Sequence, residues 1–125
     1  MVVGIGLDLV ETARVERALE RFGERFVRRL MDADEAAALP PGGGPERAQA
    51  LALAVAAKEA ASKALGTGWS RGVRWRDVVV SLAPATVRLT GRAAEVAKER
   101  GSSGRSRARL EVQGELAVAE VWLLS

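Results

Sequence analysis

Asp8 lies inside the apolar run Val2-Val3-Gly4-Ile5-Gly6-Leu7-Asp8-Leu9-Val10. A carboxylate among such neighbours is costly to bury unless something pairs with it. Two readings stand: a strand-end carboxylate that caps a turn or meets an arginine, and a metal ligand that other segments reach because Gly4 and Gly6 carry no side chain. A second group, Lys58-Glu59 with Lys63, falls in a stretch dominated by alanine. Glu59 and Lys63 are spaced as a helical surface pair. Ala52, Ala54, Ala56, Ala57, Ala60, Ala61 and Ala64 surround them, however, and a helix so rich in alanine packs closely against something. With Asp8, Glu59 makes a two-carboxylate site, of the kind Mg²⁺ occupies together with water and a substrate's phosphate oxygens. Lys63, one turn further, is then a mobile point charge beside those phosphates. Gly66-Thr67-Gly68 follows, either as a helix C-cap or as backbone that a phosphate-bearing ligand can approach.

The inventory of side chains narrows the chemistry. The 125 residues include no Cys, His or Tyr. Disulfides, thiol nucleophiles, Ser-His-Asp triads and His-based pH switches are therefore excluded. Carboxylates, Lys, Arg, hydroxyls and backbone N–H groups remain, which suit phosphate handling with a hard metal. Basic residues number 19 against 16 acidic ones, and 16 of the 19 are arginine, which favours bidentate contacts with carboxylate or phosphate. Arg14, Arg17, Arg21, Arg25 and Arg28 step along one predicted helix. Glu11, Glu16, Glu20 and Glu24 are interleaved with them, so the row reads either as a solvated face or as a docking face for an acidic protein. The Arg105–Arg109 loop is another candidate anion contact. No apolar window of about 18 residues occurs, and no signal peptide opens the chain, so a cytoplasmic protein off the membrane is expected.

These side chains need elements to hold them. Val2 to Val10 is a predicted strand, and Thr12 the expected N-cap of the next helix. Val15, Ala18, Leu19, Phe22, Phe26 and Leu30 form its buried stripe, with a break near Gly23. Asp32 to Leu39 is a short helix, and Pro40 to Pro45 the strongest breaker. Glu46 to Leu65 is a long helix of high propensity ended by Gly66. Strands follow at Asp77–Leu82 and Ala85–Leu89, a helix at Gly91–Arg100, and a terminal hairpin at Ala108–Val112 and Glu115–Leu124. The order β-α-α-α-β-β-α-β-β predicts one α+β domain over residues 1–125, a small antiparallel sheet packed with the long Ala-rich helix.

In this order the pieces resemble the bacterial holo-[acyl-carrier-protein] synthases, the small 4′-phosphopantetheinyl transferases. GIGLDLVETARVERAL, residues 4–19, is similar to that family's first motif, and AAKEAASKALGTG, residues 56–68, to its second and most diagnostic one. Phe26, Leu30, Glu35, Trp75-Arg76-Asp77, Val87 to Gly91 and Ala117-Val118-Ala119 fit the regions between and beyond. The resemblance implies transfer of phosphopantetheine from coenzyme A to a serine of an apo acyl carrier protein, as in fatty acid biosynthesis. It implies Mg²⁺ held by Asp8 and Glu59, phosphates met by Lys63, and an acidic carrier helix met by the arginine row. It also implies a homotrimer whose sites lie between subunits. Deprotonation of the serine falls to Glu59 or to metal-held water.

Two departures are visible. The family's usual Arg-aromatic pair before the second motif is replaced by Ala54-Val55, and its usual His on the penultimate strand by Val112. Arg47 or the Arg105–Arg109 loop is the expected substitute at the coenzyme A phosphates. The departures leave a second reading, a relative that binds carrier protein or coenzyme A without turnover. A third, an Arg-rich nucleic-acid binder, is opposed by 4% aromatics, the interleaved glutamates and a net charge of only +3.

Overall fold

A computed structural model describes all of residues 1–125, and a single helix organises it. Pro45 occupies the first turn of that helix, where its missing N–H costs nothing, and Gly66 ends it in the left-handed conformation at φ 79°. This helix, α4 (Pro45–Leu65), follows α1 (Thr12–Phe22), α2 (Glu24–Leu30) and α3 (Ala33–Ala38). Thirteen of its 21 residues are buried, so it is a central rod covered on several sides, as its alanine content requires.

Strand β1 (Val2–Glu11) lies directly on α4. A Cβ added to Gly6 would stand 1.7 Å from the Ala60 carbonyl oxygen, and one on Gly4 2.1 Å from that of Ala64. Both glycines are there because backbone meets backbone. β1 pairs antiparallel with β5 (Leu116–Leu124), which also pairs with β4 (Ser106–Gln113), giving a three-stranded sheet in the order β1-β5-β4. Ala117, Ala119, Val121 and Leu123 of β5 are fully buried toward α4. The other face of the sheet is open: Ile5, Leu7 and Leu9 are each more than half exposed, beside half-buried Val118 and Trp122.

β2 (Val78–Leu82) and β3 (Ala85–Leu89) form a separate antiparallel hairpin against another side of α4, and α5 (Gly91–Glu99) packs on that hairpin. The sequence therefore gives the right elements, yet they form two small sheets where one was expected. Two local expectations change as well. Thr12 is the first helical residue, and the N-cap position belongs to Glu11, whose side chain makes no capping bond. Phe22 is 43% exposed and leaves the predicted buried stripe, because the chain turns at Gly23 before the stripe can continue.

Helix α3 introduces a feature that the composition hides. Asp32 and Glu35 form a reciprocal capping box, with Asp32 accepting from the Glu35 N–H at 2.8 Å. The Glu35 carboxylate also accepts from the Val80 N–H and from Lys58, whose ammonium lies 2.9 Å away in full burial. Lys58 donates further to the carbonyls of Trp75 and Val78. Helices α3 and α4 and strand β2 are thus tied together by one buried ion pair with every polar atom satisfied. No helix is long and apolar enough to cross a membrane.

Candidate active site

Because β1 runs against the C-terminal half of α4, Asp8 and the last turns of that helix share one cavity. It measures about 390 Å³ and is lined by Asp8, Arg14, Glu59 and Lys63 together with apolar Leu9, Val10, Val15, Ala18, Phe26 and Val55. Asp8 projects to the α4 side of the sheet, opposite Ala119 of β5. Its Oδ1 accepts from Lys63 Nζ at 2.7 Å, and the same ammonium donates to the Leu7 carbonyl at 3.2 Å. Lys63 is 53% exposed, so this ion pair opens to solvent.

Glu59 receives a different partner. Its Oε2 accepts from the indole N–H of Trp69 at 3.2 Å. Burial pushes the Glu59 carboxyl above the ordinary glutamate value; the indole bond opposes that shift, Asp8 adds to it by repulsion and Lys63 subtracts. Two carboxylates that repel each other across a cavity are chemically suited to a divalent cation. No three His, Cys, Asp or Glu side chains form a group that could hold a metal ion by themselves. The donor set present is two carboxylates in an open cavity, which fits Mg²⁺ with its remaining positions filled by water and substrate oxygens.

The structure brings together Asp8, Glu59, Lys63 and Arg14 of the residues expected from the sequence. Arg17, Arg21, Arg25 and Arg28 are exposed on α1 and α2 outside this cavity. Arg25 lines a neighbouring groove of about 560 Å³ with Phe22, Phe26, Arg29, Leu30 and Trp75. The open side of Gly66 is occupied by the Arg100 guanidinium, whereas a Cβ on Gly68 would meet nothing within 4 Å. Arg47 is elsewhere: it clamps the Glu24 carboxylate at 2.8 and 3.0 Å and the Pro40 carbonyl at 2.9 Å. It lines a separate hollow among Glu16, Glu20 and Glu24 and not the cavity of Asp8 and Glu59. Arg107 and Arg109 lie on β4, opposite Trp122 and Glu120 on the open sheet face.

Val55 of the altered Ala54-Val55 pair lines the carboxylate cavity, whereas Ala54 turns to a second one beside Glu35 and Met31. Val112 stands half-open on β4, opposite Ala117. Trp69 and the Lys58–Glu35 pair were missed from the sequence. Asp32-x-x-Glu35 was a legible capping-box signature, but nothing local links Glu35 to a lysine 23 positions away.

Comparison with known proteins agrees with the fold and identifies its family. Residues 4–119 match the profile of the 4′-phosphopantetheinyl transferase superfamily. A holo-[acyl-carrier-protein] synthase of a Methylobacterium species (strain 4-46) is 52% identical over 97 residues, 75% of this chain and 70% of that protein. The crystal structure of the synthase from Neisseria meningitidis superposes with a TM-score of 0.82 at 30% identity, covering all of both chains. The Helicobacter pylori synthase, solved in complex with coenzyme A, superposes with a TM-score of 0.78 at 25% identity over 95% of this chain and 98% of that one.

Proposed function

The chain belongs to the 4′-phosphopantetheinyl transferase superfamily, and from that premise we propose that the Asp8–Glu59–Lys63 cavity is where it acts as a holo-[acyl-carrier-protein] synthase. The arm of coenzyme A passes to a serine of an apo acyl carrier protein. The serine Oγ bonds to the β-phosphorus, the bond from that phosphorus to the bridging oxygen breaks, and adenosine 3′,5′-bisphosphate leaves with the electron pair. The observation that carries this reading is the convergence of Asp8, Glu59, Lys63 and Arg14, from two distant motifs, on one cavity.

Transfer of this kind asks chiefly for positioning and for neutralised charge on phosphate oxygens. Mg²⁺, when bound by Asp8 and Glu59, supplies that neutralisation on the pyrophosphate. Lys63 reaches the same oxygens from its place beside Asp8, on a flexible stem that can exchange one anion for another. Glu59, in the same cavity as Asp8, is placed to accept the serine proton directly or through water held on the metal. Val10, Val15, Phe26 and Val55 form the apolar wall of the cavity in which the attacking oxygen is placed. Gly68 leaves room for backbone to approach the substrate, while Arg47, held by Glu24, is left out.

Arg14, Arg17, Arg21, Arg25 and Arg28 present the docking face for the acidic carrier, where opposite charge speeds encounter and fixes register. The open sheet face exposes Ile5, Leu7 and Leu9 beside Val118 and Trp122, with Arg107, Arg109 and Glu120 alongside, and we assign it to contacts within a homotrimer. We place the enzyme in the cytoplasm, serving fatty acid biosynthesis. The test is mass spectrometry of an apo carrier protein incubated with coenzyme A, Mg²⁺ and this protein. Gain of the phosphopantetheine mass is expected; an unchanged carrier, with a known synthase succeeding in parallel, overturns the reading and leaves binding without turnover.

A further inference from the structure

Lys58 and Glu59 are adjacent in sequence, yet they point to different sides of α4. The structure joins them again by an indirect route. Lys58 Nζ donates to the Trp75 carbonyl at 3.0 Å. The Trp75 ring stacks on that of Trp69, with centroids 4.0 Å apart and planes inclined by 22°. Trp69 Nε1 donates to Glu59 Oε2 at 3.2 Å, closing the circuit.

Trp69 is also held from its own chain. It follows the Gly66–Gly68 turn, which is braced on the end of α4 by the Gly68 N–H to the Ser62 carbonyl at 3.1 Å. Ser70 closes the other side, with both its N–H and its hydroxyl donating to the Thr67 carbonyl. Meanwhile two nearby donors are committed elsewhere. Lys63 is bound to Asp8 and Leu7, and the Ser62 hydroxyl donates to the Glu59 carbonyl rather than to its carboxylate. The indole is thus the one protein donor to this carboxylate, and its ring plane is fixed by a stacked partner that is itself anchored to a buried lysine.

We propose that Trp69 is a positioning residue for the catalytic carboxylate: its stacked indole engages one oxygen of Glu59 and thereby leaves the other turned to the cavity it shares with Asp8. This role rests on the reading of Glu59 as a cation-holding group. Partners that orient a ligating side chain in this way commonly change metal affinity when removed, although they never touch the metal. A tryptophan that served only as filler would have no such effect once replaced by another ring.

Trp69→Phe keeps an aromatic ring on Trp75 and removes the N–H. Binding of Mg²⁺ alone to the whole protein is measured by titration calorimetry for wild type and variant, with thermal unfolding recorded beside it. The variant is expected to bind Mg²⁺ about tenfold more weakly while unfolding within a few degrees of wild type. Equal affinity overturns the proposal. A wild type that transfers the arm but binds no Mg²⁺ overturns the cation reading instead, a distinguishable result. Should the variant not fold, ¹⁵N-tryptophan-labelled wild type decides. One of its three indole N–H resonances is expected to move as Mg²⁺ is added, and a spectrum in which none moves overturns the proposal.

Discussion

Helix α4 supplies two lysines, each paired with a carboxylate from outside the helix, and the two pairs live in opposite environments. Lys58 and Glu35 meet at 2.9 Å with side chains 0% and 1% exposed. Lys63 and Asp8 meet at 2.7 Å with side chains 53% and 15% exposed. Contact distance does not separate them; the number of additional partners does. Glu35 also accepts from the backbone N–H groups of Asp32 and Val80, and Lys58 donates to two carbonyls, so neither has anything left to give. Such a pair can only hold elements together. Lys63 and Asp8 keep a side open to a cavity, and their attraction in a wet setting is weak enough to be traded for a substrate phosphate.

The sharpest way to break this contrast is to remove one partner from each pair. Lys58→Met leaves Glu35 buried without its partner, and a loss of about 3–5 kcal/mol in denaturant-measured stability is expected. Adding Glu35→Gln, which keeps an acceptor for the Val80 N–H, should recover part of that loss; no recovery would mean that the charge was not the difficulty. At the open pair, Asp8→Asn should lower kcat/KM about 10²-fold or more, by analogy with the removal of one preorganised electrostatic group. Its unfolding free energy should change by less than about 1 kcal/mol. If Asp8→Asn unfolds the protein, the two pairs are not different in kind.

Glu59 gives a subtler comparison, because its sign depends on pH. Burial raises its folded-state pKa above the unfolded value. Its ionisation therefore detracts from stability fully above the folded pKa; the penalty fades as pH falls through the folded pKa and is gone below the unfolded one. Glu59→Gln, melted without Mg²⁺, should unfold at or above the wild-type temperature at pH 7, with the gain vanishing near pH 4, while transfer activity measured with Mg²⁺ is lost. A variant less stable than wild type at neutral pH would show that the carboxylate is needed for folding. The smallest effect is expected for Lys63→Gln: stability within about 1 kcal/mol of wild type and a several-fold rise in KM for coenzyme A in steady-state assays.

The same contrast explains what the sequence made legible. Asp8, Glu59 and Lys63 could be found because each breaks a pattern, a charge in an apolar strand or among alanines, and because two glycines announced a close approach. Lys58 breaks the pattern equally, but its partner lies 23 residues away, and spacing alone does not reveal which face of a fully covered helix is wet. Phe22 fitted the periodic stripe and yet lies outside the core, since periodicity does not see the turn at Gly23. Arg47 was credited with a phosphate because arginine suits one, whereas the structure pairs it with Glu24 outside the Asp8–Glu59 cavity. Trp69 carried no signal, since an indole that aims a hydrogen bond looks in sequence like one that fills space. The strands were readable from their alternation, but their division into two sheets was not, because strand pairing is settled by packing on α4 rather than by any local rule.

The approach of Gly6 to Ala60 has a consequence beyond packing. Asp8 lies two residues after that glycine and Glu59 one residue before that alanine, so the backbone contact acts as a caliper for the jaws of the site. The gap between the two carboxylates is held by the absence of an atom, at a position that does not itself line the cavity. Any side chain placed at residue 6 would wedge strand from helix and open the jaws, altering catalysis from a residue that takes no part in it.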